Sequence, residues 1–271
     1  MERLARRSQA VGSCLCLGLD PEPDGFPAGY PADATGLERF GALLLEAGLP
    51  FAAAVKANLA FFEAFGSAGI AALERLRARV PPDVPFIADV KRADIGSTAA
   101  RQAVALFDVL GADAVTASPY LGRDALEPFL VRAGRFVYVL CRTSNPGAAE
   151  LQDLLVEGRP LYLHVARRAA RWAGEAPAGV GLVVGATAAS ELAQVRAAAQ
   201  GLPFLVPGAG AQGGDIAAVL EHGPVRAAPA LHGGGLLVNV SRAIAGAAAG
   251  AADPAAAVAQ AARLWSGRLQ C

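Results

Sequence analysis

The sequence predicts an α/β protein, a single (β/α)8 barrel over residues 1–271, on three observations. Short β-branched, apolar runs alternate with alanine- and leucine-rich amphipathic stretches. Eight such units can be counted. The 271 residues suit one barrel, and no stretch is long or polar enough to be a linker. Strands separated by helices imply parallel pairing with right-handed crossovers.

The first strand is expected over Ser13–Leu19. Arg3, Arg6 and Arg7 precede an apolar run, Val11 to Leu19, which loosely mimics a secretion signal. The run is short and β-like, ends in Asp20-Pro21 and lacks a small-residue cleavage site, so it reads as a strand. The next strands are expected at Ala52–Lys56, Pro85–Val90, Ala114–Ala117, Phe136–Cys141, Val180–Gly185, Phe204–Val206 and Leu236–Val240. Helical patterns fill the gaps at Leu37–Ala47, Ala68–Arg79, Ser97–Leu110, Asp124–Arg132, Pro160–Ala173, Ala189–Ala199, Asp215–Leu220 and Pro254–Trp265. The alanine-rich segment Ala243–Ala262 reads as a solvent-facing terminal helix.

Composition narrows the function. With 24 basic and 24 acidic residues the formal net charge is zero, which argues against broad nucleic-acid or anionic-membrane binding. No run approaches the roughly 18 uncharged apolar residues of a membrane span. Cys14, Cys16, Cys141 and Cys271 have no metal-type spacing and read as small hydrophobes in a reducing, cytoplasmic compartment. Cys14 and Cys16 are expected on one side of the first strand. His164, His222 and His232 form no metal pattern, and His232-Gly-Gly-Gly235 lacks the Gly-x-Ser-x-Gly partner that an esterase needs.

In such barrels the chemistry sits where strands end and βα loops begin. The first strand ends at Asp20, the second at Lys56, and the third at Asp89, Lys91 and Asp94. The fifth ends at Arg142-Thr143-Ser144, the seventh runs into the glycine-rich segment 207–214, and the eighth ends in Asn239-Val240-Ser241-Arg242. Asp89 and Lys91 stand two apart on a strand and should share a side. With Lys56 and Asp94 they form an alternating set in which each charge has an opposite neighbour. A structural ion-pair network is the plain alternative, but buried ion pairs rarely improve on apolar residues, and four at one loop end point to function. A protonated lysine can stabilise a carbanion and then give it a proton. The set suits replacement of a carboxylate on carbon by a proton.

Gly208-Ala-Gly210-Ala-Gln-Gly213 matches Gly-x-Gly-x-x-Gly, yet it follows the seventh strand and has no acidic residue about 20 positions on, so a dinucleotide site is not implied. In a barrel this loop commonly holds phosphate, with Gln212 and Arg242 as side-chain partners.

Asp89-Val-Lys91-Arg-Ala-Asp94-Ile-Gly-Ser-Thr98 resembles the D-x-K-x-x-D-I-G-x-T signature of the orotidine 5′-phosphate decarboxylases. Leu19-Asp20, Val55-Lys56-Ala57-Asn58, the segment from Pro207-Gly208 to Gly214, and Val238-Asn239-Val240-Ser241-Arg242 agree in order. Arg142-Thr143-Ser144-Asn145-Pro146-Gly147 is similar to the longer bacterial branch. The likeness runs from about Leu17 to Arg242. It implies a carboxy-lyase that makes UMP without a cofactor or metal, with Lys91 protonating C6 and Asp89 beside the departing carboxylate. Lys56 would bridge Asp89 and the ribose, Asp20 a ribose hydroxyl, Ser144 the pyrimidine, and Gln212 and Arg242 the phosphate. Asp94 and Thr98 would reach into a partner subunit's site, making the active unit a homodimer. Two departures are visible: Ser97 and Ser118 stand where asparagine is common. Two other readings stay open: a magnesium-dependent sugar-phosphate lyase or decarboxylase of the same superfamily, and a non-catalytic phosphate-binding barrel. Lys56 argues against the first, since a cation there would repel a metal, and the complete charged set argues against the second.

Overall fold

The computed structural model describes residues 1–186, 189–210, 213–226 and 232–271. Eight parallel strands close into a barrel: β1 (Leu15–Leu19), β2 (Ala54–Asn58), β3 (Phe86–Arg92), β4 (Ala114–Ala117), β5 (Phe136–Arg142), β6 (Gly179–Val184), β7 (Phe204–Pro207) and β8 (Leu237–Val240). Each strand pairs with its sequence neighbours, and β8 closes on β1 through Leu15↔Val238.

The interior follows from period-two alternation. Cys16, Ala54, Ile87, Ala114, Tyr138, Val183, Leu205 and Leu237, one residue from each strand, form a single inner cluster. Residues of opposite parity, such as Leu15, Leu17, Val55 and Phe86, pack outward under the helices. Two residues beyond the inner cluster come Lys56, Asp89, Thr116 and Asn239, all less than 9 % exposed. The apolar floor therefore carries a polar tier at the strands' C-terminal ends.

Several expectations shift. β2 runs to Asn58 and β3 to Arg92, so Lys56 is not the last residue of its strand and Lys91 lies within its strand and not just past it. Residues 2–11, expected as no element, form a helix that stops the opposite end of the barrel. Leu4 joins the inner cluster, and Arg7 donates to the Leu49 and Ala52 carbonyls. Cys14 and Cys16 do not share a side. β1 starts at Leu15; the Cys14 thiol turns to the Leu269 carbonyl, while Cys16 enters the barrel. The alanine-rich segment is not a solvent-facing helix. It holds a short helix, Arg242–Ala245, a turn, and Pro254–Arg268, whose Val258 and Ala262 are fully buried against the barrel layer. Asp253 caps that last helix by accepting the Ala256 N–H. The expected helix Ser97–Leu110 is an α-helix, Gly96–Ala103, that widens into a π turn over Val104–Val109. The expected Asp124–Arg132 helix shortens to Glu127–Leu130. After β5, residues 146–160 form short helical turns and a hairpin, Leu155–Val156 with Arg159–Pro160. Among the described residues no helix is long and apolar enough to cross a membrane.

Candidate active site

At the C-terminal ends of the strands a cleft of about 220 Å³ is lined by Asp20, Lys56, Asn58, Asp89, Ser144, Gly208, Gly210, Asn239, Ser241 and Arg242. A larger cleft, about 460 Å³, opens at the other end beside the N-terminal helix. Barrel chemistry does not sit at that end, and Arg3 and Asp113 there are already paired.

The charged tier is tightly organised. Lys56 Nζ lies 2.6 Å from Asp89 Oδ2, and Lys91 Nζ lies 2.6 Å from Asp89 Oδ1. Lys56 is buried, whereas the Lys91 side chain is half exposed. Burial opposes the ammonium form of Lys56, but Asp20 and Asp89 outweigh it and hold its pKa above the usual lysine range. Burial likewise opposes the Asp89 carboxylate, but Lys56, Lys91 and their hydrogen bonds prevail and hold its carboxyl well below the usual range. Asp20 Oδ1 accepts the Asn58 N–H at 3.1 Å, which ties the end of β1 to β2 beside Lys56.

Asp89 and Lys91 do face one space, but plain alternation is not the reason. The β3–β4 register jumps from Ala88↔Val115 to Arg92↔Ala117, setting four residues against two. Within this bulge Lys91 adopts φ +48°, a left-handed conformation rare for non-glycine residues. The twist turns its ammonium back onto Asp89.

The fourth expected charge does not join. Asp94 Oδ1 accepts the Ile95 N–H, and among the described residues Asp94 makes no ion pair. Thr98 is exposed on the following helix and does not line the cleft. Within one chain the alternating set of four is therefore a set of three, because the backbone turns away from the barrel mouth after Lys91.

Across the cleft, Gly208 has φ +91°, and the Gly214 N–H donates to its carbonyl at 3.2 Å, curling the loop after β7. Gly208 and Gly210 line the cleft, whereas Gly213, with φ +69°, is exposed and does not. Gln212 lies outside the described residues. Arg242 is exposed at the rim, at the start of the short helix after β8. Gly18 permits this approach, since a Cβ there would come within 2.4 Å of Ser241 Cβ. Ser144 lines the cleft on a loop anchored from behind by Gln152, which accepts the Thr143 N–H and the Arg142 guanidinium and donates to Thr143 Oγ1.

Three further residues carried no assigned role in the sequence. Thr116 bonds directly to the charged set. Asn239 Oδ1 and Ser241 Oγ are buried at the cleft without a partner among the described residues. Such atoms are costly to leave unpaired and suit a polar ligand. The signal that could have found Thr116 and Asn239 was their parity with Lys56 and Asp89.

A cleft with a carboxylate between two ammonium groups on one side, and a curled amide-rich loop with an arginine on the other, can hold an anion and meet developing negative charge at carbon. Comparison with known proteins agrees. Residues 13–261 match the family model described as orotidine 5′-phosphate decarboxylase / HUMPS family. The chain is 51 % identical over 242 residues to an orotidine 5′-phosphate decarboxylase of Roseiflexus sp. (strain RS-1), covering 89 % of this chain and 85 % of that one. It is 49 % identical over 246 residues to the enzyme of the same name from Thermomicrobium roseum, covering 90 % and 85 %. Among solved structures, Leishmania donovani OMP decarboxylase superposes with a TM-score of 0.79 at 41 % identity, covering 97 % of each chain. The UMP synthase of the same organism gives 0.84 at 43 % identity, where 99 % of this chain spans 56 % of that longer one. The chain belongs to the orotidine 5′-phosphate decarboxylase / HUMPS family.

Proposed function

We propose that this chain, acting as one catalytic domain, decarboxylates orotidine 5′-monophosphate to UMP and carbon dioxide, the last step of UMP synthesis, with no metal or cofactor. One observation carries the reading: Asp89 is held ionised between a buried lysine and a half-exposed one, at the barrel mouth opposite the loop after β7.

The two lysines suit different roles. Lys56 is buried and strongly held as an ammonium ion, so it keeps Asp89 charged and is a poor acid. Lys91 lines an adjoining cleft of about 250 Å³ that shares Asn58 and Asp89 with the first, and its side chain is half in solvent. With the substrate carboxylate against Asp89, the C6–carboxyl bond breaks, its electron pair stays on C6, and carbon dioxide leaves. The Lys91 ammonium stabilises that charge, donates its proton to C6, and regains one from water. Each turnover breaks one C–C bond, forms one C–H bond and consumes one proton.

Asp20 would bind a ribose hydroxyl and Ser144 the pyrimidine. Arg242, Gln212 and the amides from Gly208 to Gly213 would bind the phosphate, whose remote binding energy contributes to the chemical step. In a homodimer Asp94 and Thr98 would complete the partner subunit's site. Their position away from their own cleft supports that, as does the exposed apolar side chain of Ile95 on the same segment. Free, buried Cys14, Cys16 and Cys141 suit a cytoplasmic setting. The D-x-K-x-x-D strand also resembles that of magnesium-dependent sugar-phosphate enzymes of the same superfamily; the ammonium of Lys56 on the second strand, where a metal would need an anionic ligand, favours the decarboxylase.

Purified protein should consume orotidine 5′-monophosphate, seen as falling pyrimidine absorbance, at a rate unchanged by excess chelator. Loss of rate with chelator would favour the magnesium-dependent reaction, and no turnover at all would reject the reading.

A further inference from the structure

Thr116 lies on β4, two residues beyond Ala114 of the inner cluster, so its side chain enters the polar tier. It is 2 % exposed, and its Oγ1 makes three hydrogen bonds, all to residues 89–91. It donates to Asp89 Oδ1 at 2.8 Å and accepts the N–H groups of Val90 at 2.9 Å and Lys91 at 3.0 Å. A hydroxyl has one proton and two lone pairs, so its capacity is filled. The direction is also fixed. Both amides can only donate, which leaves the hydroxyl proton for the carboxylate.

These bonds fall where the β3–β4 ladder is interrupted. Thr116 supplies the acceptor that the missing ladder partner would have offered to Val90 and Lys91. It thereby holds the left-handed turn at Lys91 that sends the ammonium back to Asp89. The same oxygen steadies Asp89 Oδ1, the atom that Lys91 contacts. One side chain thus sets both ends of the Asp89–Lys91 contact without lining the cleft.

We infer that Thr116 is a positioning residue of the decarboxylation, fixing Asp89 and Lys91 relative to each other; this rests on the function proposed above. Valine has nearly the same shape without the hydroxyl, and serine keeps the hydroxyl. Thr116→Val should lower kcat by about ten- to a hundredfold, what a lost hydrogen bond to a charged group is worth in rate. KM should stay within about threefold, because no substrate contact is removed. Thr116→Ser should recover kcat to within about threefold of the parent, since the same oxygen makes the same bonds. A Val variant with unchanged kcat per folded molecule, even with a lower Tm, overturns the inference. So does a Ser variant as slow as the Val variant. If the Val variant does not fold, Thr116→Ala against Thr116→Ser makes the same comparison. A crystal structure of the hydroxyl-less variant separates this inference from the reaction itself. Lys91 should leave the left-handed region and move out of contact with Asp89; an unmoved pair overturns the inference whether or not the protein decarboxylates. A parent protein that leaves orotidine 5′-monophosphate untouched refutes the reaction, not the contact.

Discussion

Lys56 and Asp89 face each other across adjacent strands, Nζ to Oδ2 at 2.6 Å, with both residues less than 9 % exposed. Packing alone would favour apolar residues here, since desolvating two charges offsets much of their attraction. Once the pair is present, removing one member leaves the other buried with only part of its compensation, Lys91 for Asp89 or Asp20 for Lys56. Lys56→Met or Asp89→Asn alone should therefore destabilise the fold by about 3–5 kcal/mol, and the double variant should lose clearly less than the sum. Urea unfolding of the three variants and the parent checks this; additive losses would show that the two side chains do not depend on each other.

Lys91 differs because half of its side chain is in solvent. Lys91→Ala should barely change Tm, yet turnover should fall by about a thousandfold or more, with proton transfer and charge stabilisation both removed. UMP should still bind, because the phosphate and ribose contacts lie elsewhere in the cleft. Turnover near the parent's would remove Lys91 as the proton donor.

Asp94 and Lys91 are three residues apart in sequence but part company in space. If Asp94 serves the partner subunit's site, mixing Lys91→Ala with Asp94→Ala subunits gives heterodimers in which one of two sites keeps both native residues. Activity should return to about a quarter of the parent's: statistical mixing makes half the dimers mixed, each with one intact site. Heterodimers shown to form but inactive would put both residues in one chain's site.

The barrel was legible because each strand carries its own β-branched run and each crossover its own helical period. The site was legible in part because Asp20, Lys56, Asp89, Ser144 and Arg242 stand at strand ends that the barrel brings to one mouth. What escaped has physical causes. Thr116 looks like an ordinary strand threonine, and its role exists only because a register jump beside it leaves two amides without a ladder partner. That jump depends on a conformation at Lys91 that no propensity favours. The N-terminal helix escaped because arginines dominate it, and only Leu4 and Ser8 are buried. Asn239 had the right parity, but a single polar residue in an apolar strand does not declare whether it faces a ligand.

The same charges set a pH signature. Asp89's folded carboxyl titrates below its unfolded value of about 3.9, so above that pH both states are ionised and its stabilisation is complete. As pH falls below about 3.9 the unfolded chain takes up a proton that the folded chain refuses, and the stabilisation is lost. Lys56 has the opposite sign. Its folded pKa lies above the unfolded value of about 10.4, so its contribution is whole below that pH and is lost as pH rises through the folded pKa. From about pH 5 to 9 neither group changes charge in either state, and the pair's contribution should be flat. The unfolding free energy of the parent minus that of Asp89→Asn should accordingly hold constant from about pH 7 to 5 and shrink below about pH 4. A difference that persists unchanged to about pH 3 would mean that Asp89 titrates normally in the fold, and that the two lysines do not hold it ionised.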